Sequence, residues 1–125
     1  MEKKIVKCDK APGAIGPYVQ GMVCGDFVFL SGSLGIDPAT GELASGVEAQ
    51  AKQSMENIGA LLASEGLSFD NVIKTTIFLA DIADFGKVND IYASFFGSSY
   101  PARSAYAVAG LPKGGLVEIE VIAAK

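Results

Sequence analysis

Apolar positions in this chain follow two rhythms, and the change from one to the other marks the elements. Residues 3–7 read as a short first strand. The stretch from Lys10 to Tyr18 holds two Pro and two Gly and reads as an extended loop. Residues 19–24 and 27–31 are apolar and rich in Val and Phe, and Gly25-Asp26 between them reads as a two-residue hairpin turn. A turn-rich connection follows from Gly32 to Gly41. The period then lengthens. Val47, Ala51, Met55, Ile58 and Leu62 recur at steps of 4, 4, 3 and 4, the stripe of an amphipathic helix. Ser45 with Glu48 predicts a capping box at its start, and Gly66 a left-handed stop. Residues 71–79 are β-branched and predict a strand. A second helix is expected over 82–96, with Phe85, Val88, Tyr92 and Phe95 on one face and Asp81 or Asp84 as its cap. Pro101 opens a strand over 103–109, the Pro112–Gly115 turn follows, and 116–124 alternates as the last strand.

The order strands, helix, strand, helix, strands predicts an α+β fold of two layers, with two helices on one face of a five- or six-stranded, mostly antiparallel sheet. One domain is expected over residues 1–125. The opposite sheet face must then be solvated or covered by another subunit. Ala105, Ala107 and Ala109 share a face with Arg103 in the fifth strand segment, a mixture of small apolar and ionic groups that resembles an oligomer interface.

Composition excludes chemistry faster than it suggests it. Half of the residues are apolar and 19% are charged, so disorder is not expected. The absence of His removes Ser–His–Asp and Cys–His systems and HExxH metal sites. Cys8 and Cys24 alone cannot complete a structural zinc site, so no metal is expected. No G-x-G-x-x-G or P-loop pattern occurs. The charged first residues lack the apolar core of a signal peptide, and no run is long enough for a membrane helix. With two unpaired cysteines this predicts a cytoplasmic protein without a membrane partner. The net charge of −4, and nine scattered Lys beside one Arg, argue against nucleic acid as partner.

That one Arg, Arg103, follows Pro101 at the start of a strand, where its planar fork can be aimed at a carboxylate. A structural ion pair with Glu118 or Glu120 is the alternative. Those two Glu alternate onto one face of an apolar strand; a buried carboxyl there has a raised pKa and suits acid–base or water-positioning work, whereas a half-exposed face needs no function. Tyr18 at the end of a stiff loop either lines a pocket or simply packs. Ser31, ending its strand, is a ligand-facing hydroxyl or a cap. Asn89 lies mid-helix, where Asn is unfavourable, so a specific hydrogen bond is expected to hold it. The two Cys read as core residues.

Several stretches together resemble the Rid family, the YjgF-type reactive intermediate deaminases, in their RidA-like subgroup. They are Ala11-Pro-Gly-Ala-Ile-Gly-Pro-Tyr18, Phe29-Leu-Ser31-Gly32, Asp37-Pro-Ala-Thr-Gly41, Asp84-Phe-Gly-Lys-Val-Asn89-Asp-Ile-Tyr92, Pro101-Ala-Arg103-Ser104 and Leu111-Pro-Lys-Gly-Gly-Leu-Val-Glu118-Ile-Glu120. They span nearly the whole chain. The resemblance implies a chorismate-mutase-like fold, a homotrimer with intersubunit sites, and hydrolysis of 2-imino acids such as 2-iminobutanoate and 2-iminopropanoate to 2-keto acids and ammonia without cofactor or metal. Such activity protects pyridoxal-phosphate enzymes from their own reactive products. Arg103 matches the family's carboxylate-binding Arg and Glu118 the Glu that positions water. Tyr18, Ser31 and Asn89 match positions lining the site, and Ala105 stands where many members have a Cys that contributes its backbone carbonyl. Ser33 replaces a common Gln, which predicts a reshaped pocket. Two other readings share these residues: a non-catalytic binder of small carboxylic metabolites, and an endoribonuclease or translation inhibitor.

Overall fold

The computed structural model describes residues 1–125. The strands are β1 (Lys3–Val6), β2 (Gly21–Cys24), β3 (Phe27–Leu30), β4 (Ser33–Leu34), β5 (Val72–Leu79), β6 (Ala102–Ala107) and β7 (Val117–Ala124); the helices are α1 (Val47–Ser64) and α2 (Phe85–Ala93). Six strands form one path in the order β1-β2-β3-β7-β5-β6, and the two-residue β4 pairs with the start of β7. All neighbours are antiparallel except β5 and β6, which are joined through α2. This is the expected two-layer α+β arrangement.

Alternation explains the layering. On β7, Val117, Ile119, Val121 and Ala123 are buried; on β5, Val72, Thr75, Ile77 and Leu79 are. All five residues of the helix stripe, Val47, Ala51, Met55, Ile58 and Leu62, are buried with them in a cluster of 20 residues. The reverse face of the sheet carries no helix. Across it Ile5, Met22, Phe29 and Ile122 stand in register, and Ile5, Phe27, Phe29 and Tyr106 are 45–56% exposed. An apolar surface this continuous is unusual on a monomer.

Local chemistry departs from the sequence reading at four places. The capping box at Ser45 is absent: Gly46 is the N-cap, with φ +89°, and no side chain caps the helix. A residue with a Cβ reaches that conformation only under strain, so Gly46 sets the entry. Buried Gln50 does the neighbouring work, donating to the Ala44 carbonyl and accepting from the Leu116 amide. The second helix divides into a 3₁₀ turn, Ile82–Asp84, capped by Asp81 through the Ala83 amide, and the shorter α2. The fifth strand segment runs from 102 to 107 rather than to 109. Cys24 lies half-buried on the helix-free face rather than in the core, since its partner Phe27 is exposed there, while Cys8 does pack against the core with its thiol on the Ala60 carbonyl. Elsewhere the turns follow expectation: Gly25 takes φ +60° and Gly66 φ +72°.

Gly35, just past β4, lies directly against α1: a Cβ there would overlap backbone atoms of Gln50. Backbone cannot swing aside as a side-chain end can. Gly35→Ala is expected to cost about 2–3 kcal/mol, visible as a lower urea midpoint at unchanged slope. A midpoint equal to the parent's would show that α1 shifts freely.

Candidate active site

A cleft of about 920 Å³ is lined among others by Tyr18, Ser31, Gly32, Phe78, Glu118 and Glu120, with Asn57 and Leu61 of α1 also on its wall. Gln20 shapes its loop wall. Its carboxamide accepts from the Cys8 amide and donates to the carbonyls of Cys8 and Pro12, closing the Pro/Gly-rich segment onto β2. That closure brings Tyr18, half exposed, to the cleft. The Ser31 hydroxyl donates to the Val19 carbonyl at 2.6 Å. Its donor is therefore committed, and it faces the cleft as an acceptor, suited to an N–H of a ligand.

Glu118 is half-buried beside Phe78 on β5. Burial raises its pKa, and the neighbouring charge of Glu120 raises it further. Gly32 leaves the room it occupies: a Cβ there would lie 2.9 Å from the Glu118 carboxyl carbon. Gly32→Ala is expected to displace that carboxyl. Because a shift of about 1 Å in a catalytic group costs up to about 10²-fold, the imine hydrolysis that the family resemblance implies should fall at least about tenfold while the melting temperature moves little; a variant as active as the parent would show that the carboxyl needs no fixed place.

Arg103 stands elsewhere. On β6 it pairs with Thr75, whose side chain turns toward α2, and the guanidinium follows. Its Nη1 donates to Asn89 Oδ1 at 2.7 Å, and its central carbon lies 5.3 Å from the centre of the Phe85 ring and 5.0 Å from that of Tyr92. Ala105, two residues on, is half-buried on the same side of the same edge strand.

The six sequence-predicted site residues thus form two groups. Tyr18, Ser31 and Glu118 line the cleft; Arg103, Asn89 and Ala105 gather at the outer edge of the sheet beside α2. The ion pair between Arg103 and Glu118 or Glu120 that the sequence allowed does not form. β5 lies between their strands, and the alternation that turns Arg103 toward α2 turns both Glu to the other face. Ser33 is among the residues lining the cleft, and it is buried: its hydroxyl donates to the Ser54 carbonyl and the Ser54 hydroxyl donates to the Ser33 carbonyl, so it also fastens β4 to α1. Sequence reading missed Gln20, Gly32 and the aromatic pair around Arg103. Only the aromatic pair left a signal, the spacing of Phe85, Asn89 and Tyr92, which reads equally as core packing.

The family model described as endoribonuclease L-PSP matches residues 8–125. A 2-iminobutanoate/2-iminopropanoate deaminase of Bos taurus is 54% identical over 122 residues, covering 97% of this chain and 89% of the relative. Among solved structures, E. coli TdcF with bound serine superposes with a TM-score of 0.94 at 46% identity, covering 98% of each chain. The YjgF gene product of E. coli gives 0.94 at 43%, again over 98% of each. With the match running through both groups of residues and the fold shared from end to end, the chain belongs to the endoribonuclease L-PSP family, the YjgF/Rid family.

Proposed function

We propose that this protein is a 2-iminobutanoate/2-iminopropanoate deaminase, hydrolysing reactive 2-imino acids to 2-keto acids and ammonia and so sparing pyridoxal-phosphate enzymes. The observation that carries the reading is Arg103: the one Arg of the chain, in neither of its two ion pairs, is held at a fixed place with part of its fork unused. A planar carboxylate is what that fork fits. The deaminase relative, more than half identical over nearly the whole chain, supports the same substrate class.

The two groups of residues complete one site when copies meet. Arg103 and Ala105 stand on the edge strand β6, whose outer side has no partner in the chain, with Asn89 reaching Arg103 from α2. The apolar helix-free face that carries Glu118 is the surface another copy would cover. The reading is therefore of a homotrimer of single domains spanning 1–125, with each site between Arg103 of one protomer and Tyr18, Ser31 and Glu118 of another. In that site Arg103 holds the substrate carboxylate and Ser31 accepts from the imine nitrogen. Glu118 takes a proton from water as its oxygen attacks the C=N carbon and the π electrons pass to nitrogen. The proton is then returned to nitrogen, the C–N bond breaks to release ammonia, and the hydroxyl proton passes to that ammonia as the C=O forms. Iminium and water become keto acid and ammonium, and the protein ends unchanged. Positioning supplies most of the effect, since such imines already hydrolyse in water. No step calls for a metal or cofactor.

The experiment couples the protein to a dehydratase that releases 2-iminobutanoate from threonine, with the residual imine trapped and keto acid followed. Faster release, lost in Arg103→Ala, supports the reading; no acceleration overturns it in favour of a non-catalytic carboxylate binder. The family's description names an endoribonuclease. Cleavage of RNA by nuclease-free protein, lost in Glu118→Gln, would favour that activity instead. No helix is long and apolar enough to cross a membrane. Free Cys8 and Cys24 suit a reducing cytoplasm as its place.

A further inference from the structure

Phe85, Asn89 and Tyr92 stand at i, i+4 and i+7 of one helix, so they form a single stripe along α2. The stripe faces one guanidinium. Two rings flank Arg103 at 5.3 and 5.0 Å, and between them in sequence a carboxamide oxygen accepts from Nη1 at 2.7 Å. The inner ring is itself fixed: Tyr92 is 4% exposed, and its hydroxyl is 2.8 Å from the buried Thr75 hydroxyl on β5. Every group of the stripe is uncharged. Ring faces attract a cation through their quadrupole, and a carboxamide orients it, but none of them cancels its charge.

We propose that Phe85, Asn89 and Tyr92, with Thr75 behind, are positioning residues that hold Arg103 in place while leaving its positive charge uncompensated, so that the substrate carboxylate is the first anion it meets. The inference rests on the proposed role of Arg103 and goes beyond it, because it states why position 89 is Asn and not Asp. A carboxylate at 89 would hold the guanidinium more firmly and would also occupy its charge. Strength of fixation and affinity for the ligand are then opposed, and a neutral acceptor is the compromise. Asn89 is thereby a residue that acts on substrate through Arg103. Its seat in mid-helix, unfavourable by propensity, follows from that task.

The test is Asn89→Asp, read by steady-state hydrolysis of 2-iminobutanoate, by direct binding of 2-oxobutanoate, and by thermal melting. The expected result is a KM and a dissociation constant raised at least tenfold, kcat within threefold of the parent, and a melting temperature equal or higher. A merely structural Asn89 predicts the same gain in melting temperature with KM and the dissociation constant untouched, so binding is the readout that separates the two. Phe85→Leu, and the isosteric pair Thr75→Val with Tyr92→Phe, loosen the cradle without adding charge; each should raise KM about threefold to tenfold, and they decide the matter should Asn89→Asp misfold. KM within twofold of the parent in all of these variants overturns the cradle, as does a fall in kcat at unchanged KM in Asn89→Asp. Should Arg103→Ala itself keep full activity, it is the carboxylate-binding role that fails. Arg103→Ala inactive with Asn89→Asp unaffected removes the cradle alone.

Discussion

Replacing Arg103 by Ala lowers kcat/KM for 2-iminobutanoate by about 10²- to 10⁴-fold, while the folded chain survives. The magnitude follows from the fork. A hydrogen bond to a charged group contributes about 1.5–3 kcal/mol, and a bidentate carboxylate makes two; at about 1.4 kcal/mol per tenfold, the loss spans those decades. Stability loses less. Arg103 is exposed, in no ion pair, and gives up one hydrogen bond and two ring contacts worth about 0.5–1 kcal/mol each at such a site. Arg103→Lys separates geometry from charge. Lysine keeps the cation but presents a point charge, cannot donate in parallel, and does not reach the Asn89 carboxamide and both rings with one planar group. It should recover less than tenfold of what Ala loses. Initial rates from trapped-imine assays across all three proteins check this; an Arg103→Ala protein with the parent's kcat/KM would sink the assignment of the carboxylate site.

Much of the fold was legible because its signals are local. The α1 stripe needs only its own spacing, and all five of its residues are buried. The alternation of β7 assigns Glu118 and Glu120 to one face without reference to any other strand. What the sequence could not disclose is which strands are neighbours. β7 enters between β3 and β5, and the crossover through α2 carries β6 to the far side of β5. Only this long-range order shows that Arg103 and Glu118 belong to different faces, and hence that the expected site residues fall into two groups within one chain. The same limit applies to Asn89. Its awkward place in a helix is readable, but its partner lies 14 residues away on a strand whose register is set by pairing with β5. The failed capping box at Ser45 is a local miss: Gly46, with its positive φ, had the better claim to the turn.

Glu118→Gln separates the chemistry from the binding. The amide keeps the shape of the carboxyl but cannot take a proton from water, so kcat should fall by about 10²-fold or more, the usual contribution of a general base, with KM nearly unchanged. The pH dependence carries the sign. Burial, then the charge of Glu120, raises the Glu118 pKa above the ordinary carboxylate range. The active form is the ionised one, so the parent's rate should climb with pH through that raised value and level off above it. Glu120→Gln removes the second cause and should move this acid limb to lower pH without lowering the plateau much. Stability runs the other way. A carboxyl with a raised folded pKa favours the fold while protonated; that contribution is fully present below the unfolded pKa and is lost as pH rises through the folded one. Glu118→Gln is uncharged at every pH. Its melting temperature should therefore exceed the parent's at pH 8 and converge with it near pH 4. Melting curves at the two pH values, set beside the pH–rate profiles, test both halves at once. A variant less stable than the parent at pH 8 would show that the ionised carboxyl is held by a partner rather than strained by its burial, and a plateau kcat matching the parent's would remove Glu118 from the reaction.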